Sequence, residues 1–209
     1  MQQPCLIIIA GCNGAGKSTY SKIIAKNIIP FDFDKRFLNR YRSMPDSELR
    51  DVIARNITAN EFEMELANAF NLKESFAFET NFMLPYPIKI ITEAKKLGYR
   101  LEIYFFCLKS QDLAKDRVEI RVKNDGHFVD DKTIAIKWKE GYKNINLHYN
   151  DFDYLLFLDN SEESSPPKVL FEMEKMKENS FELRIICSNL PAYTERRLPE
   201  IFNLLKTEN

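Results

Sequence analysis

A glycine-rich octapeptide near the N-terminus constrains this chain more than any other feature of its sequence. Residues 11–18 read GCNGAGKS and fit the pattern G-x-x-x-x-G-K-[ST]. A continuously apolar run at 5–10 precedes the octapeptide, and apolar residues at helical spacing follow it over 18–26. The sequence therefore predicts a buried strand, a glycine turn and a helix, which is the setting in which this loop binds a nucleoside triphosphate.

The residue types of this loop suit an anion. Glycine lets the backbone turn tightly and approach phosphates closely, and the N–H groups at a helix start face negative charge. We expect Lys17 to place a mobile charge on the β- and γ-phosphates, and Ser18 to offer its hydroxyl to Mg²⁺. The expected nucleotide-binding residues are Gly11, Asn13, Gly14, Ala15, Gly16, Lys17, Ser18 and Thr19.

Length and composition narrow the class of protein. A chain of 209 residues with 44 % hydrophobic residues suits one α/β domain over 1–209. The net charge of −1 argues against nucleic-acid binding through bulk electrostatics. No signal peptide and no membrane-spanning apolar run is apparent, so we expect a soluble, cytoplasmic protein without a membrane partner. The four cysteines lack C-x-x-C spacing, and buried thiols are expected.

The hydrophobic pattern predicts strands that alternate with helices. Strands are expected at 5–10, 28–33, 75–80, 101–108 and 154–159, and helices at 47–73, 87–97, 110–124 and 131–146. A polar break at 162–167 precedes two apolar runs, 169–173 and 181–186, and a closing helix at 195–206. The predicted fold class is α/β, a three-layer P-loop fold with a mostly parallel five-stranded sheet. The predicted fold also includes a helical lid over about 110–148, and a C-terminal antiparallel hairpin and helix over about 162–209.

Acidic and amide side chains follow the predicted strands. Ligands of open parallel sheets bind beyond the carboxyl ends of the strands. We interpret Asp34 as the candidate general base, with Asp32 as its competitor, because alternation along a strand lets both point the same way. Glu79 is a candidate for holding a Mg²⁺-bound water or a substrate hydroxyl. The strand-end residues are Asp32, Asp34, Glu79, Thr80, Asp159 and Asn160.

A basic segment lies in the predicted lid. Arg117 and Arg121 are four residues apart and share a helix face, from which they could neutralise a transferring phosphate. The alternative interpretation is a solvated basic helix face. His127 follows a glycine in a loop, where an exposed or structural role is more typical than a catalytic one.

The order of these motifs resembles that of the zeta-toxin family of P-loop kinases over roughly residues 6–161. The Glu-Thr, Gly-His-x-Val and Asp-Asn-Ser blocks are more specific than the phosphate loop. The stretches that carry the resemblance are 11–19, Phe31-Asp32-Phe33-Asp34, Phe78-Glu79-Thr80-Asn81, Arg117-Val118, Arg121-Val122, Gly126-His127-Phe128-Val129 and Asp159-Asn160-Ser161.

The resemblance implies a kinase that binds ATP with Mg²⁺ and phosphorylates an alcohol group of a small molecule. In the characterised toxins the acceptor is the 3′-hydroxyl of a UDP-linked N-acetyl amino sugar. By the resemblance, Lys17 is the phosphate-loop lysine, Asp34 the base, and Arg117 and Arg121 the lid arginines. Glu79 is the acidic residue after the third strand and, with Ser18, a metal-site candidate. The expected acceptor-binding residues are Asp32, Glu79, Thr80 and His127.

Two departures from the family pattern stand out. Asp125-Gly126-His127 replaces a Gly-Gly-His block, and Ile136-Lys137-Trp138 replaces an Arg-Arg-Tyr-like block. Lysine lacks the bidentate fork that arginine offers to phosphate. The lid contact at this position is therefore expected to differ from that of the relatives. Two alternatives to a kinase also stay open: an ATPase without a small-molecule acceptor, and a nucleotide-dependent binding protein controlled by an antitoxin-like partner.

Overall fold

Six strands form one sheet in the order β2-β1-β3-β4-β5-β6. The computed structural model describes residues 3–25, 27–123, 128–163, 165–177 and 180–207. The first four strands in this order are parallel, and β5 and β6 are antiparallel to their neighbours. The strands are β1 Cys5–Ala10, β2 Phe76–Thr80, β3 Arg100–Cys107, β4 Tyr154–Asp159, β5 Lys168–Lys177 and β6 Ser180–Ile185.

Eight helices lie within the described residues, and α1 begins at Lys17, directly after the glycine loop. Among the described residues, none of these helices combines the length and the apolar composition needed to cross a bilayer. The helices are α1 Lys17–Ile24, α2 Phe33–Ser43, α3 Arg50–Leu72, α4 Tyr86–Lys96, α5 Gln111–Lys123, α6 Asp131–His148, α7 Ala192–Arg197 and α8 Pro199–Thr207.

Strand β1 is flanked on both sides by parallel neighbours. Ile8 pairs with Phe78 of β2 and with Ile103 of β3, and Ile8 and Ile103 are fully buried. Burial on both faces explains why this strand is a continuous apolar run rather than an alternating one. Because β1 and β2 run parallel, the glycine loop and the residues at the end of β2 emerge at the same edge of the sheet.

The α/β P-loop fold is confirmed, but the predicted strand at 28–33 is wrong. Only Phe31 forms a bridge, parallel to Phe78, and the chain then turns into α2. The side chain of Asp32 accepts a hydrogen bond from the backbone N–H of Lys35 at 3.0 Å and caps the helix. The helix start therefore ends the extended segment after one residue, since a capping aspartate favours helix entry.

The C-terminal region differs from its prediction in one respect. The predicted hairpin is confirmed, and its strands extend the main sheet because β5 pairs with β4. The single helix expected at 195–206 is instead two helices, α7 and α8, interrupted at Leu198. Pro199 explains the break, because proline disfavours a helical conformation in the residue before it.

Helix α6 is fastened to the body of the protein by buried hydrogen bonds. The hydroxyl of Tyr142 donates to the carbonyl of Leu108 at 3.0 Å. The buried amide of Asn144 donates to the carbonyl of Phe82 at 2.9 Å, just beyond the end of β2. These bonds fix α6 relative to two strand ends at the ligand-binding edge of the sheet.

The C-terminal helices hold the same helix from another side. The side-chain amide of Asn146 donates to the carbonyl of Arg197 at 2.6 Å. The guanidinium of Arg197 lies 3.8 Å from the ring centroid of Trp138, within the range of a cation–π contact. Helix α6 is thus braced from Trp138 to Asn146.

Replacing Asn144 with alanine tests how strongly this bracing contributes to stability. The change leaves the buried carbonyl of Phe82 without its donor, so we expect a loss of about 1–3 kcal/mol in the free energy of unfolding. Urea denaturation measures it. The neighbouring exposed variant Lys143→Ala should stay within about 0.5 kcal/mol of the native protein, and an equal effect of both changes would contradict the argument.

Candidate nucleotide-binding site

A cavity of about 1170 Å³ lies at the carboxyl edge of the parallel strands. It is lined by the glycine loop, by the end of β2 and the residue after it, and by Asn160, Glu162, Glu163, Ser165 and Pro166 after β4. Helices α2, α3, α4, α5 and α6 contribute further side chains. Segments from across the sequence therefore meet at the place where open α/β sheets bind their ligands.

Residues from other parts of the chain pack closely against the glycine loop. Gly14 and Gly16 have φ angles of 77° and 91°, a region that favours glycine. A Cβ atom on Gly14 would lie 2.7 Å from the carbonyl oxygen of Ala114. The side-chain amide of Asn160 donates to the carbonyl of Ala15 at 2.9 Å, and a Cβ on Gly16 would collide with it. Only glycine fits at either position.

Asn13 supplies an unused polar atom beside the loop. Its side chain is buried, and its Oδ1 has no hydrogen-bond partner within the described residues. A buried polar atom without a partner is costly unless a ligand or water satisfies it. This observation, together with the glycine conformations, fits a loop built to surround a polar group.

The amine of Lys17 lies against its own loop. It donates to the carbonyls of Gly11 at 2.7 Å and Cys12 at 3.1 Å, and to Oδ1 of Asn81 at 3.3 Å. Asn81 follows β2 and was not among the predicted site residues. Its amide oxygen gives Lys17 a third partner in this arrangement.

Ser18 and Glu79 meet at the end of β2. The hydroxyl of Ser18 donates to Oε2 of Glu79 at 2.7 Å. Burial raises the pKa of the Glu79 carboxyl, and the nearby carboxylate of Asp32 raises it further, while the hydrogen bond from Ser18 and the charge of Lys17 lower it. The hydroxyl of Thr80, next along the strand, accepts from the N–H of Phe82 at 3.0 Å.

The structure separates Asp32 from Asp34, although both line the cavity. Residues two apart at a helix start point in different directions, whereas a strand would align them. The carboxylate of Asp32 caps α2 and acts on the pKa of Glu79. The carboxylate of Asp34 acts instead on Lys137 of α6: burial lowers the pKa of Lys137, and Asp34 opposes part of that change. The two acids therefore lie nearest to different parts of the cavity.

The two arginines predicted for the lid, Arg117 and Arg121, also occupy distinct surroundings. The guanidinium of Arg117 donates to the carbonyls of Asn160 at 2.6 Å and Glu162 at 3.3 Å, and approaches that of Gly14 at 3.5 Å. It joins α5 to the glycine loop and to the segment after β4. Arg121, one turn later, lines the same cavity and lowers the pKa of Lys137 through its charge. His127 lies outside the described residues.

Two basic residues in the cavity were not predicted as site residues. Lys137 projects from α6, and Arg55 projects from α3, where it forms an ion pair with Asp51 at 2.7 Å. Arg55 lies between Ile53 and Ile57 in a helical pattern, so the sequence indicates only a solvent-facing position for it. The cavity is therefore richer in positive charge than the sequence suggested.

Aromatic rings form the wall of the cavity beside α3. Phe62 makes edge contacts with Phe31 and Phe78, with ring centroids 4.9 and 5.5 Å apart. Tyr86 lies 5.9 Å from Phe62, and its hydroxyl donates to the carboxylate of Glu63. This wall offers the cavity a flat apolar surface with a polar rim.

Cys12 of the glycine loop is an ordinary buried thiol. Burial raises its pKa to about 11, although the charges of Lys17 and Arg117 act in the opposite direction. A thiol with a raised pKa is poorly reactive because the thiolate is the nucleophile. This agrees with the buried thiols expected from the sequence.

Comparisons with known proteins place the chain in a family. The model of the zeta toxin family matches residues 1–152, and no curated protein matches the chain. The structure from the PezAT chromosomal toxin–antitoxin system of Streptococcus pneumoniae has 14 % identity and a TM-score of 0.60, with 99 % of this chain and 88 % of that chain covered.

Two further solved structures share the fold. The AvrRxo1-ORF1:-ORF2 structure with ATP has 12 % identity and a TM-score of 0.62, with 97 % of this chain and 63 % of that chain covered. A candidate kinase from Chloroflexus aurantiacus J-10-fl has 18 % identity and a TM-score of 0.53, with 66 % and 79 % covered. Since the family model matches 152 of the 209 residues, the chain belongs to the zeta toxin family.

Proposed function

We propose that the protein is an ATP-dependent phosphotransferase that moves the γ-phosphate of ATP to a hydroxyl of a small molecule. The observation that carries this proposal is the shared cavity of the glycine loop, the Ser18–Glu79 pair and Asp34. Membership of the zeta toxin family supports it. The ATP bound in the AvrRxo1 structure, which has the same fold, agrees with ATP as the donor.

The transfer assigns one role to each group. The acceptor oxygen forms a bond to the γ-phosphorus while the bond to the β–γ bridging oxygen breaks, and the electron pair leaves with ADP. Asp34 takes the hydroxyl proton, and Lys17 and Arg121 stabilise the charge on the phosphoryl oxygens. Arg117, with its donors on backbone carbonyls, holds the loop and α5 together around the nucleotide.

The donor set at the end of β2 fits Mg²⁺. The hydroxyl of Ser18 and the carboxylate of Glu79 are oxygen ligands, which Mg²⁺ prefers, and they are already hydrogen-bonded to each other. When bound there, the ion would neutralise charge on the phosphates. Asp32, whose charge acts on Glu79, is placed to hold water or an acceptor hydroxyl beside this pair.

The acceptor would lie between Asp34 and the aromatic wall. The cavity is larger than a triphosphate requires, and the rings of Phe62 and Tyr86 offer a surface for a flat or ring-shaped group. Arg55 of α3 adds a positive charge to the same cavity. We propose a UDP-linked N-acetyl amino sugar as the first acceptor to test, together with nucleosides and free sugars.

A protein partner is a second proposal, favoured by the solved neighbours. The PezAT structure belongs to a toxin–antitoxin system, and AvrRxo1-ORF1 was solved with ORF2. We propose that an antitoxin-like protein binds this chain and limits its turnover. Purification from the native cell should recover such a partner in constant ratio, and turnover should rise after its removal.

Lys17→Ala tests the donor site. The change removes the mobile charge of the loop, so we expect at least tenfold weaker ATP binding by calorimetry and loss of transfer from labelled ATP. The melting temperature without nucleotide should stay within about 2 °C of the native value, since the partners of Lys17 are loop groups. Lys22→Ala, an exposed change on α1, is the control; equal effects would refute the assignment.

Asp34→Asn tests the base. The amide keeps the shape of the side chain but accepts no proton, so we expect kcat to fall about 10²- to 10⁴-fold while ATP affinity changes little. Transfer to the acceptor panel measures the first quantity and calorimetry the second. Full transfer by this variant would remove Asp34 from its role, and Asp46→Asn, on an exposed loop, should behave as the native protein does.

Phosphate release by the native protein without any acceptor would favour the ATPase alternative. The same panel therefore separates hydrolysis from transfer.

Glu79→Gln links the metal site to stability. The pKa of Glu79 is higher in the folded protein than in the unfolded chain, so the folded protein keeps the carboxyl proton to a higher pH. The free energy of unfolding therefore falls as the pH rises from the unfolded pKa through the folded pKa. We expect the variant and the native protein to be equally stable at about pH 4, and the variant to be the more stable of the two at neutral pH. Thermal melts over a pH series measure this, and Glu48→Gln reports the loss of an exposed carboxylate.

A lower melting temperature of Glu79→Gln at neutral pH would contradict the prediction. The same variant should also need more Mg²⁺ for tight ATP binding, because an amide is a weaker ligand than a carboxylate.

A further inference from the structure

Strand β6 lies at an open edge of the sheet. It is the last strand in the sheet order and pairs with β5 on one side. Within the described part of the chain, the backbone of residues 180–185 is hydrogen-bonded to no segment other than β5. An edge strand carries a row of unpaired N–H and C=O groups that another strand can join. Proline and lysine, two residues that commonly block such an edge, do not occur in 180–185.

One face of the sheet carries an unmatched carboxylate at this edge. Glu182 of β6 lies opposite Glu174 of β5 in the strand register. The carboxylate of Glu174 is already paired with Arg100, whose guanidinium lies 2.9 Å from Glu174 and 2.8 Å from Glu102. Among the described residues, Glu182 itself forms no ion pair. Like charges directly opposite each other on neighbouring strands are destabilising, so a cation is missing beside Glu182.

A guanidinium lies two residues further along β6, on the same face. Arg184 lies opposite Glu172 of β5 and contacts its carboxylate at 3.1 Å. The Arg184 side chain is 75 % exposed, so most of its N–H donors remain in solvent. The open edge therefore presents one carboxylate and one guanidinium side by side.

We propose that β6 pairs with β6 of a second copy of this chain, antiparallel and centred on Leu183, so that two sheets join into one. In this register Glu182 of each copy lies opposite Arg184 of the other copy. Two equivalent ion pairs then form about the two-fold axis, and each supplies the cation that Glu182 lacks. On the other face Leu183 meets Leu183, and Phe181 meets Ile185.

Charge selects this register over its neighbours. Opposite residues of an antiparallel pair share a face, so a symmetric pair is centred on a residue. Centring on Glu182 would place two carboxylates directly opposite each other, and centring on Arg184 would do the same with two guanidinium groups. The centre at Leu183 instead matches opposite charges twice. Of the three central registers, only one is self-complementary.

Apolar side chains on the other face of β6 add to the pairing. Phe181 is buried, with its ring 5.9 Å from that of Tyr149, whereas Leu183 is half-buried and Ile185 is 42 % exposed. Covering them with a second copy removes apolar surface from water. A single pair of short strands buries less than the roughly 1,200–2,000 Å² of a standard interface. We therefore expect a reversible dimer whose population depends on concentration.

The dimer would leave the nucleotide cavity of each copy open. Among the described residues, none from β5 or β6 lines the cavity, and β1 and β2 lie at the other end of the sheet. A two-fold axis through β6 also points the carboxyl edges of the two parallel sets of strands in opposite directions. The proposal therefore goes beyond the proposed phosphotransferase function and does not depend on it.

Sedimentation velocity over a concentration series tests the dimer. We expect the native protein to pass from monomer to dimer between about 10 and 500 µM. Arg184→Glu and Glu182→Arg each place like charges opposite each other, and each should raise the dissociation constant at least about tenfold. Glu48→Arg makes the same charge change as Glu182→Arg on an exposed turn and should dimerise as the native protein does. A native protein that stays monomeric throughout would overturn the proposal.

Mixing the two charge variants separates the proposed contact from a damaged fold. The Arg184→Glu chain carries two acidic residues on this face of β6, and the Glu182→Arg chain carries two basic ones. Together they should form a one-to-one heterodimer, because every facing pair then has opposite charges. A mixture that stays as monomeric as the separate variants would contradict the pairing.

A cysteine at the centre of the strand reports the register directly. Leu183→Cys places two thiols opposite each other across the axis, within reach of a disulfide, so oxidised glutathione should give a covalent dimer. Ile185→Cys faces Phe181 of the other copy, so its two thiols lie too far apart to join. The native protein controls for its own cysteines. Equal cross-linking through Ile185→Cys or in the native protein would refute the register.

The proposed dimer and the proposed function fail in different ways. Phosphate transfer by a protein that is monomeric at every concentration supports the function and overturns the dimer, and a dimer that transfers phosphate to no acceptor does the reverse. If the native protein is monomeric but Glu182→Arg abolishes binding of an antitoxin-like protein, the edge belongs to that partner, and the pairing of two copies is refuted.

Discussion

The close packing around the turn between β1 and α1 is the constraint on which the site depends. Gly14 lies against the backbone of α5, and Gly16 lies against Asn160, so the turn has no room for side chains at these positions. The same contacts bring α5 and the segment after β4 to the phosphate loop. Arg117 completes the arrangement through its carbonyl partners. The loop is therefore preorganised by its neighbours as well as by its own glycines.

Much of the fold could be predicted because its signals are local. The apolar runs of β1 and β3 and the glycine loop each specify structure within about ten residues. The prediction at 28–33 failed because two local signals compete there, and the capping aspartate at 32 outweighs the apolar pattern. Proline at 199 was a readable signal for the break between α7 and α8.

The charges of the cavity could not be predicted in the same way. Arg55 and Lys137 come from helices far apart in the chain. The helical pattern around Arg55 indicated a solvent-facing position, and Lys137 was noted only as part of a block that departs from the family pattern. Neither signal placed the side chain in the cavity. Their meeting depends on tertiary packing, including the buried bonds that fix α6. The choice between Asp32 and Asp34 likewise needed the structure, because it depends on whether the chain there is extended or helical. The sequence predicted that the side chains at the strand ends converge at one edge of the sheet, but it did not predict the partners of each side chain.

The bracing of α6 by residues far along the chain has a consequence for where this protein can be cut. The family match ends at residue 152, two positions before β4 begins, whereas the partners of Trp138 and Asn146 lie at Arg197. A fragment ended at that boundary would lose β4 to β6 and leave the far side of β3 unpaired. An exposed strand edge of this kind promotes aggregation. We therefore do not expect the part of the chain that ends with the family match, at residue 152, to fold by itself.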